Sequence, residues 1–169
     1  MLDVFKIRKS CRQFLDKPVE DEKINEILKA AMVSPSAHHQ RAWEFIIVKD
    51  KDIREKLSET TKYTGCVKEA PVVIVLCSPD VHQWVEDLSI VGEVIYLEAT
   101  NQGLGTCWMH VKDLVSPEKL NPEGFVRDLL GIPGDKRVLC FFPIGYPKFK
   151  MPEHTDQEFE QNKIHYEKW

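Results

Sequence analysis

Apolar and polar positions alternate along the chain in two different periods, and the change between them marks the predicted elements. In residues 20–33 the apolar side chains recur at helical spacing behind an acidic first turn, and a Ser-Pro pair follows. Residues 43–48 and 70–77 are short, rich in β-branched side chains and bounded by turn-forming or charged residues. We therefore predict one amphipathic helix and two strands, with a surface helix at 51–61 between the strands.

The second half of the chain contains the longest apolar pattern. Residues 81–102 form about six helical turns, and apolar side chains cover most of the circumference, which predicts a helix buried on several sides: Val85, Leu88, Val91, Val94, Ile95, Leu97 and Ala99. Residues 105–111 and 136–145 predict two more strands. A helix at 122–130 lies between them, and Gly131 can end it.

The order of these elements indicates the fold class. Helices and strands alternate irregularly, without internal repeats or a low-complexity linker. At 169 residues the chain fits one domain with a real core. We therefore predict a single α+β domain over residues 1–169, in which the charged tail at 151–169 remains outside the core as an arm.

Composition and charge exclude several classes of protein. The chain has 23 basic and 27 acidic residues and a formal net charge of -4, whereas a nucleic-acid-binding protein would carry the opposite balance or a long basic face. The start lacks the apolar core of a signal peptide, and the longest apolar run, 72–77, is far shorter than the roughly 20 residues of a membrane helix. Five cysteines without a CxxC pair argue against a disulfide framework and a zinc knuckle. We expect a cytoplasmic protein with no nucleic-acid or membrane partner.

Most residues that could carry chemistry alone have a simpler explanation. A dinucleotide fingerprint at Gly103 and Gly105 fails because Trp108 occupies the third glycine position. Adjacent His38 and His39 lack a carboxylate or thiolate at metal-ligand spacing. Four carboxylates along the long helix are better explained as solvated or interface groups: Glu86, Asp87, Glu93 and Glu98.

A nucleophilic thiol is the remaining possibility for side-chain chemistry. Neighbouring cations could lower the pKa of Cys11. No histidine lies close to it in sequence to act as a base. The sequence therefore predicts no catalytic side chain and no metal site.

A basic cluster near the start is harder to dismiss. Arg8, Lys9 and Arg12 lie within five residues of an acidic chain, interleaved with Ser10 and Cys11. Clusters of this kind indicate either a solvated turn or a bound anion. The cluster alone does not decide between them.

Four separate segments together resemble the FMN-dependent nitroreductase family. Each segment is weakly specific, but all four stand in the family's order and spacing: Arg8, Lys9, Ser10, Arg12 and Phe14; Pro35, Ser36 and Ala37 ahead of Trp43 and Phe45; Gly103 to Trp108; and Gly145, Tyr146 and Pro147 followed by Lys148 and Lys150. Two positions depart from the family pattern. His39 replaces the usual asparagine, and Arg41-Ala42 replaces the usual Gln-Pro.

The resemblance implies a particular fold and assembly. Family members have a three-layer α+β fold, with a central mixed or antiparallel sheet flanked by helices. They form homodimers of a domain-swapped style, in which the long central helices pack together. We expect the same here, with FMN at the subunit interface and the arm at 151–169 embracing the partner.

The resemblance also implies where FMN would bind. Arg8, Lys9 and Arg12, with Lys148 and Lys150, would share the phosphate, and Ser10 could donate its hydroxyl to the phosphate or to the flavin edge. The loop with Pro35, Ser36, Ala37 and His39 would lie against the ring. A third group would lie beside the flavin and its redox-active nitrogens: Leu104, Gly105, Thr106, Cys107, Trp108 and Met109.

The chemistry implied by the resemblance belongs to the flavin. NADH or NADPH would deliver a hydride and leave, and a nitroaromatic, a quinone or a similar electron acceptor would take the electrons in a ping-pong cycle. Two alternatives remain open. One is an FMN carrier or redox sensor without NAD(P)H turnover, and the other is the same fold with dehalogenase or dehydrogenase chemistry.

Overall fold

The computed structural model describes residues 1–117 and 119–169, whose helices and strands follow the predicted order. In chain order they are α1 (Asp3–Ile7), α2 (Asp21–Met32), β1 (Glu44–Val48), α3 (Lys51–Leu57), β2 (Val72–Pro79), α4 (Trp84–Asn101), β3 (Gly105–Thr106), β4 (Met109–His110), α5 (Pro122–Leu130) and β5 (Lys136–Gly145). Short 3₁₀ turns occur at Ala37–His39, Gly65–Glu69, Asp156–Glu158 and Gln161–Lys163.

The central strand β2 is apolar on both faces, and this property organises the domain. Its side chains alternate between two separate core clusters, with Val72 and Ile74 in one and Val73 and Val75 in the other. The strand pairs antiparallel with β1 on one side and with β5 on the other. The sheet order is β1-β2-β5-β3, and β4 also pairs with β5. Since both faces must be covered, the sheet needs helices on each side.

Two pairs of helices cover these faces. Helices α2 and α4 pack on one face through buried residues such as Ile27, Leu88 and Ile95. On the other face, α3 and α5 contribute Leu57 and Val126. The predicted three-layer α+β fold with an antiparallel central sheet is therefore confirmed.

The predicted strand at 105–111 is divided, which corrects the sequence prediction. Strands β3 and β4 share one register on β5, because Thr106 pairs with Ile144 and Met109 with Phe141. That register places Cys107 opposite Pro143, which has no N–H to donate to a neighbouring strand. The break leaves Cys107 and Trp108 outside the ladder, at the position where the sequence predicted contacts to a flavin.

Helix α4 is buried within one subunit more completely than a surface helix would be. Four of its apolar residues are almost fully buried: Leu88, Val91, Ile95 and Ala99. Val85, Val94 and Leu97 are half-buried, and Ile90 remains 43% exposed. Part of the apolar circumference is thus satisfied inside the subunit, and the half-buried face stays available to another surface.

The ends of the predicted helices have local explanations. Helix α3 ends at Leu57 and not at the predicted residue 61. Just after Leu57, the hydroxyls of Ser58 and Thr60 donate to the carbonyls of Glu55 and Leu57. Helix α5 has the predicted bounds, and Gly131 ends it with a φ of 64°. The tail from residue 151 carries two 3₁₀ turns and exposes large side chains: Phe159, Tyr166 and Trp169.

We predict that Gly92→Ala destabilises the fold. A Cβ at this helical position would lie 2.4 Å from the Trp108 ring and 3.1 Å from Phe142. We expect the free energy of unfolding to fall by about 1–3 kcal/mol, as for other overpacked cores, although alanine favours helix by about 1 kcal/mol over glycine. Urea unfolding followed by circular dichroism measures the change.

Gly65→Ala is the matched control for this substitution. An added Cβ at Gly65 meets no atom within 4 Å, so the stability of this variant should be nearly unchanged. A Gly92→Ala protein as stable as wild type would contradict the close packing of α4 against Trp108.

Candidate functional site

The basic segment at 8–12 lies against strand β3. Ser10 forms a parallel bridge with Thr106, and the Cys11 N–H donates to the Thr106 carbonyl at 2.8 Å. This approach requires glycine at the preceding position, because a Cβ on Gly105 would lie 2.6 Å from the Cβ of Cys11. Two of the predicted site segments are thereby brought together, although nearly one hundred residues separate them in sequence.

One face of this segment contacts Tyr96 in the middle of α4. The Arg8 guanidinium lies 5.3 Å from the centre of the Tyr96 ring, within cation–π range. The Ser10 hydroxyl lies 2.7 Å from the Tyr96 hydroxyl. The sequence analysis did not identify Tyr96, because a tyrosine among the apolar residues of a helix resembles an ordinary core residue.

Lys9 has different partners from Ser10, although it follows Arg8 in the same segment. It lines a cavity of about 200 Å³ together with Lys150, Leu104 and Gly105. Its ammonium group lies 3.0 Å from Nδ1 of His154 and 3.8 Å from a carboxylate oxygen of Glu158. The predicted basic cluster is therefore divided, because the Lys9 side chain is engaged by His154 and Glu158 of the tail.

The other predicted cations have no carboxylate partners. Within residues 1–117 and 119–169, no side-chain nitrogen of Arg8, Arg12, Lys148 or Lys150 takes part in a hydrogen bond or ion pair. The Lys148 N–H donates to the Gln13 carbonyl at 3.0 Å, which places this lysine next to the basic segment. Unpaired cations in an acidic chain indicate an anion site.

Strand β3 ends on an unsatisfied buried group, just before the loop that joins it to β4. Thr106 is 1% exposed, and its hydroxyl has no partner among the described residues. Cys107 and Met109 are buried beside it. The Trp108 ring stacks on His110 and meets Phe142 edge-on at 5.4 Å. A buried orphan hydroxyl costs free energy unless a ligand satisfies it, so the loop fits a ligand with hydrogen-bonding groups.

The predicted ring-contacting loop lies at the other end of α4. The Ala37 N–H donates to Oδ1 of Asp87 at 2.8 Å. Asp87 precedes Tyr96 by nine residues, or about 13 Å along the helix. One subunit therefore does not bring Pro35, Ser36, Ala37 and His39 to the Arg8–Tyr96 contact.

The loop has an unusual backbone conformation, and Asp87, which anchors it, is more buried than the sequence predicted. His38, His39 and Arg41 all have positive φ values, between 48° and 56°, which non-glycine residues seldom adopt. Asp87 is 4% exposed, and its Oδ2 has no partner among the described residues. It is a buried anchor for the loop and not the solvated or interface group that the sequence analysis predicted.

Comparison with known proteins identifies the family to which this architecture belongs. The profile of the Nitroreductase family matches residues 6–63 and 59–146, which include all four motifs up to Tyr146. The chain belongs to the nitroreductase family. The family recognised from sequence is thus confirmed.

Individual relatives of this nitroreductase-family chain differ in their named activities. A protein of Methanothermobacter thermautotrophicus, provisionally named NADH dehydrogenase/NAD(P)H nitroreductase, is 37% identical over 100% of this chain and 87% of its own length. A solved FMN-dependent nitroreductase from Clostridium difficile superimposes with a TM-score of 0.95 at 33% identity, with both chains fully covered. Rat iodotyrosine deiodinase 1 is 28% identical over 83% of this chain and 59% of its own length.

The described part of this nitroreductase-family chain contains neither a cluster of metal ligands nor a membrane-spanning helix. In the described part of the chain, no group of three or more His, Cys, Asp or Glu residues could hold a metal ion. No helix there has the length and apolar character needed to cross a membrane.

Cys11, Cys66, Cys77 and Cys140 lie in environments that favour the neutral thiol. Burial raises the pKa of Cys11, although a hydrogen bond to the Gln13 carbonyl and the nearby Arg12 oppose the shift. Burial likewise raises the pKa of Cys66 and Cys77 to about 11. Neutral thiols are poor nucleophiles, which agrees with assigning no catalytic role to Cys11.

We predict that alkylation of Cys66, the half-buried cysteine, accelerates with pH up to about 11. The reactive species is the thiolate, and burial keeps this thiol protonated above the ordinary value of 9.0. Iodoacetamide labelling of the native protein, followed by peptide mass spectrometry, measures the rate at each pH. The urea-unfolded chain is the control, and its rate should level off above pH 9. A native rate that levels off there as well would contradict the shift.

Proposed function

We propose that this chain is an FMN-dependent oxidoreductase that uses NADH or NADPH to reduce oxidised small molecules such as nitroaromatics and quinones. One observation carries the proposal: a basic segment, whose Arg8 and Arg12 side chains lack hydrogen-bond and ion-pair partners among the described residues, pairs with the strand that holds a buried orphan hydroxyl, Thr106, in a chain of net charge -4. A ligand with an anionic group and a hydrogen-bonding ring would satisfy both. The names of the Methanothermobacter and Clostridium relatives support the same activity.

The cations would bind the phosphate of FMN. Arg8 and Arg12 offer planar guanidinium groups that match phosphate oxygens, and Lys148 and Lys150 add point charges. The Ser10 hydroxyl would donate to the same dianion. Lys9 would contribute mainly through long-range attraction, because its ammonium group contacts His154 and Glu158.

The β3–β4 loop would position the redox-active part of the ligand. Bound FMN would supply the two-electron chemistry that no side chain in the loop offers. Thr106 would donate or accept through its orphan hydroxyl, and the backbone of Cys107, outside the strand ladder, would be free to hydrogen-bond the ring. The role of the chain is thus to bind and orient.

A homodimer would complete the site. The loop at 35–39 lies about 13 Å along α4 from Tyr96, and in a homodimer the loop of a second subunit would contact the same flavin. The half-buried face of α4 around Ile90 and the exposed aromatic residues of the tail would bury apolar surface in that assembly. The tail at 151–169 would then act as the arm that embraces the partner.

A cavity of about 460 Å³ borders the same loop and would admit the reactants in turn. Its lining includes Tyr63, Trp108, His110 and Val115. Burial lowers the pKa of His110, which favours a neutral imidazole there. The lining also includes Lys62, but it is largely apolar and therefore suits planar aromatic acceptors.

Dehalogenation is a second candidate function. The relation to rat iodotyrosine deiodinase 1 favours it, since reductive removal of a halogen could use the same flavin site. A flavin carrier or redox sensor without turnover is the remaining alternative. NAD(P)H oxidation in the presence of nitroaromatics, quinones and halogenated phenols distinguishes the three.

We predict that the wild-type protein binds FMN and oxidises NADH or NADPH when a quinone or nitroaromatic is added. Arg12→Ala should weaken FMN binding by about 1.5–3 kcal/mol, the net value of a charged hydrogen bond. Flavin fluorescence quenching measures the affinity, and nucleotide absorbance measures turnover.

Two further variants serve as controls for Arg12→Ala. Arg12→Lys keeps the charge but loses the fork, so its affinity should be intermediate. Lys29→Ala removes a surface cation on α2 and should bind FMN normally. If micromolar FMN fails to bind the wild-type protein, the proposal is wrong. Binding without turnover would favour the alternative of a flavin carrier or redox sensor.

We also predict a homodimer of about 39 kDa by light scattering, twice the 19.6 kDa mass of one chain. Removal of residues 155–169 should weaken both dimerisation and flavin retention. Without the arm the subunits would separate more easily, and the partner's loop at 35–39 would then leave the flavin site. A wild-type protein that scatters as a single chain with FMN present would contradict the two-subunit site.

A further inference from the structure

The side chain of Tyr96 is held rigidly in the core between α4 and the sheet. It is 5% exposed, and its ring meets Phe142 of β5 edge-on with the ring centres 6.0 Å apart. Arg8 lies over the other part of this ring, 5.3 Å from its centre. The Arg8 cation is thus supported by a buried aromatic ring.

The hydroxyl of Tyr96 is the meeting point of several polar groups. It lies 2.7 Å from the Ser10 hydroxyl, and the backbone N–H of Trp108 and the thiol of Cys107 also face it. Burial raises the pKa of Tyr96, so the phenol keeps its proton. It can therefore accept from the Trp108 N–H while donating to Ser10.

The direction of this donation decides what Ser10 can do. A serine hydroxyl has one proton and two lone pairs. When Tyr96 donates to the oxygen of Ser10, the serine proton is free to be donated to another acceptor. The bridge between Ser10 and Thr106 extends the same connection to the β3–β4 loop.

We propose that Tyr96 is a positioning residue that orients Ser10 and Arg8 toward the flavin phosphate and joins them to the loop that faces the ring. This inference rests on the proposed FMN-dependent function. It concerns the preorganisation of the site, because Tyr96 itself is buried behind the residues that would touch the ligand.

Tyr96→Phe tests the proposal because it removes the hydroxyl and keeps the ring. We expect the dissociation constant for FMN to rise about tenfold, the size of one lost hydrogen bond to a charged network. Riboflavin lacks the phosphate, so its dissociation constant should change less than threefold. Fluorescence quenching measures both ligands, and a thermal melt verifies that the variant is folded.

A double-mutant cycle separates this role from a general loss of packing. If Tyr96 acts through Ser10, then Tyr96→Phe combined with Ser10→Ala should bind FMN about as weakly as Ser10→Ala alone. Tyr146→Phe is the matched control. Its hydroxyl donates to the exposed carboxylate of Glu20 at 2.6 Å, so FMN affinity should stay unchanged.

Several outcomes would overturn the inference. Unchanged FMN affinity in Tyr96→Phe, equal losses for FMN and riboflavin, or additive losses in the double variant would each show that Tyr96 does not position the phosphate group. These results leave the proposed function intact as long as wild type binds FMN. A wild type that binds no FMN overturns both.

Discussion

The contact between the N-terminal segment and Thr106 is the constraint on which the candidate site depends. Thr106 pairs with β5 on one side and receives the Cys11 N–H on the other, so it links the segment after α1 to the central sheet. The contact exists only because residue 105 has no Cβ. Without it, Arg8 and Ser10 would be held by fewer contacts, and ordering them around an anion would cost more conformational entropy.

Helix α4 contacts three parts of the candidate site. Gly92 lets the Trp108 ring pack directly on the helix, Tyr96 supports Arg8 and Ser10, and Asp87 anchors the loop at 35–39. Because a helix is a rigid rod, these supports keep fixed distances from one another. The same rigidity keeps the loop apart from the basic segment of its own chain.

The charge distribution follows the same logic. A chain with more acidic than basic residues could pair every cation, and many of its surface lysines do have carboxylate partners, such as Lys29 with Glu26 and Lys136 with Glu44. Arg8 and Arg12 do not. Cations held close together without partners repel one another, so an anion that binds the folded chain would relieve the repulsion and stabilise the protein by mass action.

The sequence by itself determined the elements and the family. The helical period of α2, the apolar run of β2 and the glycine after α5 are encoded in near neighbours, so local geometry sufficed to predict them. The basic residues were found for a similar reason, because residue type and spacing carry the resemblance. The sequence could not decide which residues each side chain would contact. It did not show that Lys9 contacts the tail, that Asp87 is buried, or that Pro143 interrupts the strand at 105–111.

Only the tertiary structure assigned the partners. Ser10 contacts Tyr96 across 86 residues, and Lys9 contacts His154 across 145 residues. No local pattern marks either pair, since Tyr96 follows the same apolar period as its neighbours on α4 and His154 lies in a tail without periodicity. The identity of each residue is fixed by the sequence, but its contacts depend on how distant segments pack, and that packing is decided by the whole sheet and its helices together.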